Sequence, residues 1–398
     1  MSIRVCIVPA GYKPIPPVLG GAVETIIQNL IDLNEKHHAV DFTVLSVYND
    51  KAKEISDLFK YTKTIFFSGN EKIDYLYYWC IYKIFKRFFN IIFPDFLIRN
   101  QMINYIANNQ DEYDWILVEA GELDCLRFYS KKLDWRKIIY HSHGEIRNEK
   151  NLENSLHYYI AVSNYIKNIW ADTVKWKPNR SLTLLNGINQ SKFEGELSLG
   201  ERERRRNEMG FSASDIVLIF VGRIVPEKGA KELLEAMKQF PDTYKLLMIG
   251  SASFGAGTAT SYEKEIGILI DQLGNRVVFT GFIPNDQVGV YYKLGDISVV
   301  PSLFDDPAPL VIIEAMTSGL PIITTGSGGI KEYCDDSCVK YVDRGSNMVN
   351  DLVCCISEIG DNEEMRMAMG EASKRKSTLF TDEKQYNDLV DILYNLER

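Results

Sequence analysis

Four short stretches of this sequence combine residue types that bind or move charge. The first is Gly222-Arg223-Ile224-Val225-Pro226-Glu227-Lys228-Gly229. It follows an apolar, β-branched run and precedes a helical pattern over 230–240, so Arg223 and Lys228 can reach the carboxyl end of a sheet, where open α/β sheets bind ligands. Two cations there suit a diphosphate. Each pair of unit charges at about 4 Å contributes roughly 4 kcal/mol at an effective dielectric near 20. Such contacts strengthen as charge builds on a departing phosphate, which lowers a barrier as well as holding a ligand. The plain alternative is a solvent-exposed loop with two surface cations.

The second stretch runs from Pro301 to Met316 and contains Asp305, Asp306, Pro309, Leu310 and Glu314. A helix is predicted to start near Pro307 or Ala308, and Asp306 is either its N-cap or a free acceptor. Glu314 lies in an otherwise apolar helix. A buried carboxylate needs a partner, and a ribose diol would supply two hydroxyl donors; a surface-facing side chain is the alternative. The third stretch, Gly20-Gly21-Ala22-Val23-Glu24, opens a helix after a first strand. There, glycines let backbone approach a ligand and helix-start N–H groups attract anions. Many such pairs are simple turns. The fourth is Tyr140-His141-Ser142-His143-Gly144, a strand end holding two of the five histidines. His143 either faces a ligand or is a hydrogen-bonded strand terminus.

Positioning these stretches requires parallel sheets. Apolar runs at 4–8, 42–47, 115–118, 138–141 and 158–162 alternate with helical patterns, and a second series follows at 216–221, 245–249, 276–280, 297–300, 321–324 and 339–342. Near-continuous apolar strands separated by helices predict doubly wound sheets covered on both faces. Two series predict two Rossmann-like domains, 1–187 and 188–380, with a final helix over 381–398. The charge run Glu201–Arg206 is predicted to be a solvated helix face.

Composition narrows the function classes. The net charge of -9 argues against a nucleic-acid binder. Seven cysteines at irregular spacing give no zinc pattern and suit free thiols in a reducing compartment. The N-terminus reads as a strand rather than a signal peptide, and no long uncharged apolar run predicts a transmembrane helix. A cytoplasmic location is expected. The segment 73–97, IDYLYYWCIYKIFKRFFNIIFPDFL, is dense in aromatics and carries Lys83, Lys86 and Arg87. It is predicted to be helical as far as Phe93, with Pro94 as the stop. It suits either a helix in a membrane interface, at the inner face of the cell membrane, or a buried one that packs on the first domain or lines an acceptor groove.

Together these stretches resemble the family-4 retaining glycosyltransferases. The resemblance rests on Gly20-Gly21 with Glu24, His143-Gly144, Ala161-Val162-Ser163, Asn186-Gly187, Gly222-Arg223 with Lys228-Gly229, Glu314-Ala315-Met316, Gly319-Leu320-Pro321 and Gly328-Gly329 with Glu332. It implies a GT-B architecture: an N-terminal acceptor-binding domain, a C-terminal nucleotide-sugar-binding domain, a cleft between them, and the last helix crossing back onto the first. Arg223 and Lys228 would bind the donor diphosphate and Glu314 the ribose hydroxyls. Gly20 and Gly21 would approach phosphate and acceptor, and His143 would contact the transferring sugar. Phe282 and Ile283 would flank the base, beside Pro309 and Leu310.

Asp306 stands where that family has Glu, eight residues before Glu314, and is counted among the catalytic residues. No metal and no cofactor are implied. The donor is expected to be a UDP-hexose and the acceptor a lipid-linked or polysaccharide chain in bacterial surface-glycan assembly. A GT-B sugar-nucleotide epimerase and a catalytically silent sugar-nucleotide-binding scaffold are the alternatives.

Overall fold

A computed structural model describes residues 2–9, 11–84, 97–121, 126, 129–144, 154–174, 178–252 and 259–397. The chain forms two compact units, one of Met1–Asn186 with Asp382–Arg398 and one of Gly187–Thr381.

The first unit is built on seven strands: β1 (Ile3–Val8), β2 (Val40–Val47), β3 (Lys63–Phe67), β4 (Trp115–Glu119), β5 (Ile138–Ser142), β6 (Tyr158–Ala161) and β7 (Ser181–Thr183). They lie in the order β3-β2-β1-β4-β5-β6-β7, all parallel. The inner strands β4, β5 and β6 are buried along their whole length. Their continuous apolar runs follow from cover on both faces. One face is closed by the helix Ala22–His37, which places Ile27, Leu30 and Ile31 in a core with Val5, Val44 and Leu117.

The second unit has β8 (Ile216–Val221), β9 (Tyr244–Ile249), β10 (Val277–Phe279), β11 (Ile297–Val300), β12 (Ile322–Thr325) and β13 (Val339–Val342). Their order is β10-β9-β8-β11-β12-β13, again all parallel. Its core joins Leu218, Leu246 and Val299 to Leu233 and Leu234 of the helix Ala230–Met237, and to Leu352 and Ile356 of the helix Met348–Gly360. Both units are therefore doubly wound Rossmann-like sheets with flanking helices, the GT-B pattern of the fold expectation. In each, the order reverses beside the first strand, between β1 and β4 and between β8 and β11. Those two reversals are where such sheets bind ligands.

The helix Asp382–Asn395 belongs to the first unit. Tyr386, Leu389 and Leu393 enter that unit's core, the Tyr386 hydroxyl donates to Asn34 Oδ1 at 2.8 Å, and the Tyr394 hydroxyl donates to the Ala39 carbonyl at 3.0 Å.

Three local expectations change. Strands β3 and β7 were not anticipated from the sequence. The helix placed near Pro307 begins at Leu310, with Pro309 in the capping position and no side-chain cap, so Asp306 is not its N-cap. The charge run lies on the helix Leu199–Glu208, but Arg206 is buried rather than solvated. It donates to the carbonyls of Leu294 and Asp215 and pairs with Asp296 at 2.6 Å.

Of the aromatic segment, Glu71–Tyr77 is α-helix and Tyr78–Tyr82 continues as a π-helical turn. The predicted stretch to Phe93, the stop at Pro94, and Lys86 and Arg87 lie outside the described residues. Ile73, Tyr75, Leu76, Trp79, Ile81 and Ile84 are exposed, and Lys83 Nζ sits 5.0 Å from the Trp79 ring centroid. Among the described residues, no helix is long and apolar enough to cross a membrane.

Candidate functional site

In the second unit the sequence Pro226-Glu227-Lys228 forms a short 3-10 turn on the loop after β8. It lifts Lys228 to the end of the sheet at the reversal between β8 and β11. The lysine Nζ lies 2.6 Å from Asp306 Oδ2, on the loop after β11, and 4.6 Å from the Phe304 ring centroid. The two loops are also tied through backbone, since the Leu303 N–H donates to the Glu227 carbonyl at 2.8 Å. Asp306 is held from a third side. The Gly329 N–H donates to the Asp306 carbonyl at 2.9 Å, and a Cβ at Gly328, where φ is +61°, would overlap the Asp306 backbone. Only glycine fits that approach comfortably.

Arg223 behaves differently. Its side chain is exposed and has no hydrogen-bond or ion-pair partner among the described residues. Lys228 and Asp306 are thus brought together, while Arg223 stands at the start of the same loop as a solvated cation.

Glu314 is buried on the helix Leu310–Thr317, which removes the surface-facing alternative. Its Oε2 accepts from the Tyr292 hydroxyl at 3.0 Å. Burial pushes its carboxyl up to about 7, against the lowering effect of hydrogen bonds from Tyr292 and Asn285 and the charge of Lys192. Tyr292, Asn285 and Lys192 carry no motif and were not anticipated. Pro309 is buried and Leu310 half-buried at the start of the same helix, whereas Phe282 is exposed and Ile283 half-buried on the loop after β10.

In the first unit Gly20 and Gly21 both have positive φ, at 69° and 131°. A Cβ at Gly21 would overlap the Glu24 carboxylate, so the glycine lets Glu24 fold back beneath the loop. Burial raises the Glu24 carboxyl, against its own backbone N–H and the charge of Lys13.

At the second edge of the reversal, β4 ends in Glu119 and β5 in His141-Ser142. The parallel register sets Glu119 beside His141. Glu119 Oε2 accepts from His141 Nδ1 at 2.9 Å and from His143 Nε2 at 2.7 Å. Glu119 and His141 are fully enclosed and His143 nearly so. Burial is the largest influence on the Glu119 carboxyl and pushes it up. The charge and hydrogen bond of His141, then those of His143, outweigh it and bring it to about 2. Burial, followed by the neighbouring His141, holds the His143 imidazole below its ordinary value. The three ligand-type atoms lie within 4.8 Å of one another, so among the described residues this is the cluster that could hold a metal ion. The sequence singled out His143 alone. The signal for its partners was a carboxylate closing an apolar strand and a histidine closing the next.

Residues 201–376, nearly the whole second unit, match the family model described as Glycosyl transferases group 1. The first unit's fold resembles the same architecture throughout. The structure of Anabaena Alr3699/HepE in complex with UDP superposes with a TM-score of 0.74 at 18% identity, covering 99% of this chain and 100% of that one.

Over residues 201–376 this chain is similar to the glycosyl transferases of group 1.

Two relatives by sequence extend the comparison. Spore coat protein SA of Bacillus subtilis strain 168 is 23% identical over 386 residues, spanning 94% of each chain. Lipopolysaccharide 1,2-N-acetylglucosaminetransferase of Salmonella typhimurium strain LT2 is 23% identical over 233 residues, 57% of this chain and 59% of the relative. The assignment to family 4 is corrected: the model that matches is group 1. The glycine, cation and carboxylate motifs sit on the loops of doubly wound sheets, and the physical demands of such sheets are shared by families of one architecture.

Proposed function

We propose that this chain is a retaining glycosyltransferase, moving a hexose from a UDP-sugar to a lipid-linked or polysaccharide acceptor in bacterial surface-glycan assembly. The observation that carries the reading is Lys228 at the strand reversal of the second unit, mostly enclosed and paired with Asp306. A cation so placed neutralises charge on a departing diphosphate, and the solvated Arg223 adds a second. Glu314 accepts from the ribose hydroxyls, with Tyr292 holding one carboxylate oxygen in place. Asp306 and His143 meet hydroxyls of the transferring sugar. Pro309, Leu310, Phe282 and Ile283 form apolar surroundings for the base, and Gly20 and Gly21 let backbone approach phosphate and acceptor. The UDP found in the Anabaena structure and the lipopolysaccharide named for the Salmonella relative support these choices.

The domains take separate roles in this reading, acceptor binding in the first unit and donor binding in the second. The exposed Leu76, Trp79 and Ile84 with Lys83 rest on an anionic membrane surface, where a lipid-linked acceptor is met.

A panel of UDP-, GDP- and ADP-hexoses tests the proposal, read by nucleotide release and by the anomeric configuration of the product. UDP-hexose consumption with an unchanged anomer supports it, together with loss of both signals in Arg223→Ala. A product that is an isomer of the donor sugar, an inverted linkage, or UDP binding without turnover from any donor would overturn it.

A further inference from the structure

His143 is the one residue of the proposed chemistry whose surroundings in the fold determine which of its nitrogens carries a proton. Nε2 lies 2.7 Å from Glu119 Oε2, and Nδ1 has no hydrogen-bond partner among the described residues. The same carboxylate oxygen takes His141 Nδ1 at 2.9 Å. An ionised carboxylate is acceptor-only, so both imidazoles must donate to it. The two rings lie with centroids 4.3 Å apart. Glu119 Oε1 and His141 Nε2 are buried with no partner. A fully enclosed carboxylate with one oxygen unsatisfied is costly to keep, and an apolar side chain of similar size would pack there without that cost. Its register beside His141 at the end of β4 does nothing for the sheet that an apolar residue would not do. What it does uniquely is accept two hydrogen bonds, one from each ring.

We infer that Glu119 is a positioning residue for His143: by accepting a hydrogen bond from Nε2–H it fixes the tautomer of that imidazole and leaves Nδ1 as the acceptor for a hydroxyl of the transferring sugar. His141 completes the device by donating to the same oxygen, which limits the directions open to the carboxylate. The sugar contact rests on the proposed function above; the tautomer does not.

The experiment uses the full chain with 15N-labelled histidine, the His143 ring nitrogens being assigned by their loss in His143→Ala. The wild type is expected to show a protonated Nε2 and an unprotonated Nδ1 at neutral pH. Glu119→Gln can present an N–H to the ring, and is expected to lose that single tautomer. Its kcat should fall about ten- to a hundredfold, the usual effect of removing a group that orients a functional side chain, with the donor KM within about twofold. Glu119→Asp should recover part of kcat and the wild-type tautomer.

A wild-type His143 protonated on Nδ1 overturns the inference even if no variant folds. So does stoichiometric zinc binding that displaces the proton from both rings, which would make the cluster a metal centre. Full kcat in Glu119→Gln with loss of activity in His143→Ala overturns the positioning role but keeps the sugar contact. The expected tautomers with full activity in both variants overturn the sugar contact and keep the tautomer.

Discussion

Lys228 Nζ and Asp306 Oδ2 stand 2.6 Å apart, so the loop after β8 is joined to the loop after β11 across the reversal in strand order. The lysine proposed for the diphosphate already has an anionic neighbour, and the two anions compete for one ammonium group.

That competition separates two variants. Lys228→Ala is expected to lower donor kcat/KM at least about a hundredfold. It also strands a nearly buried carboxylate, lowering stability by about 1–3 kcal/mol. Asp306→Asn removes the competing charge, so UDP should bind more tightly while sugar transfer slows. Calorimetric titration with UDP alongside transfer rates checks both; UDP affinity that falls equally in the two variants would break the assignment.

Glu314 gives a pH dependence of defined sign. Its folded carboxyl is raised from 4.5 to about 7 by burial, so the folded chain holds a proton that the unfolded chain has lost. Stability from this group is full below about pH 4.5, declines as pH rises, and reaches its lowest value above pH 7. The penalty at high pH is on the order of 3 kcal/mol. Glu314→Gln should therefore melt higher than the wild type at pH 8, with the advantage shrinking at pH 5. Parallel melting curves at the two pH values measure it, and an advantage independent of pH would refute the cause given.

Arg206 is the stability counterpart. It is enclosed and satisfies carbonyls of Leu294 and Asp215 as well as Asp296, and burial holds its guanidinium below the ordinary value against the charge of Asp296. Truncation to Ala leaves these acceptors unpaired and should cost about 3–5 kcal/mol. Denaturant unfolding reads this directly, and a loss below about 1 kcal/mol would show the cluster to be dispensable.

The exposed apolar helix near Trp79 predicts vesicle binding. Leu76 and Trp79 are each 63% exposed, and burying such a side chain is worth about 1.5–3 kcal/mol. Flotation with anionic vesicles should carry the wild type upward, and Leu76→Ser with Trp79→Ser should weaken binding at least about tenfold. A wild type that stays at the bottom would remove the membrane from the proposal.

Central strands were legible in the sequence because cover on both faces demands continuous apolar runs, as in Trp115–Val118 and Ile216–Val221. The two strands that were missed, β3 and β7, lie at the two edges of the first sheet. β3 is exposed or only partly buried along its length, and β7 is three residues long. Edge strands need neither length nor a continuous apolar face. Similarly, Lys228 and Glu314 are marked by local spacing, whereas Glu119, Tyr292 and Asp306's attachment to Lys228 depend on register between strands and on loop closure. His141 lies beside Glu119 because β4 and β5 pair in parallel, 22 residues apart in the chain, and no window along the sequence contains that fact.

The helix Asp382–Asn395 has a consequence for biosynthesis. It fills the core of the first unit, yet the ribosome makes it after the whole of the second. The first unit leaves the exit tunnel with the apolar site around Asn34 and Leu33 uncovered, and stays so while about two hundred further residues are added at 5–20 per second. The later-made unit is complete first, and a nascent chain arrested before Asp382 should be protease-resistant in its second half and sensitive in its first.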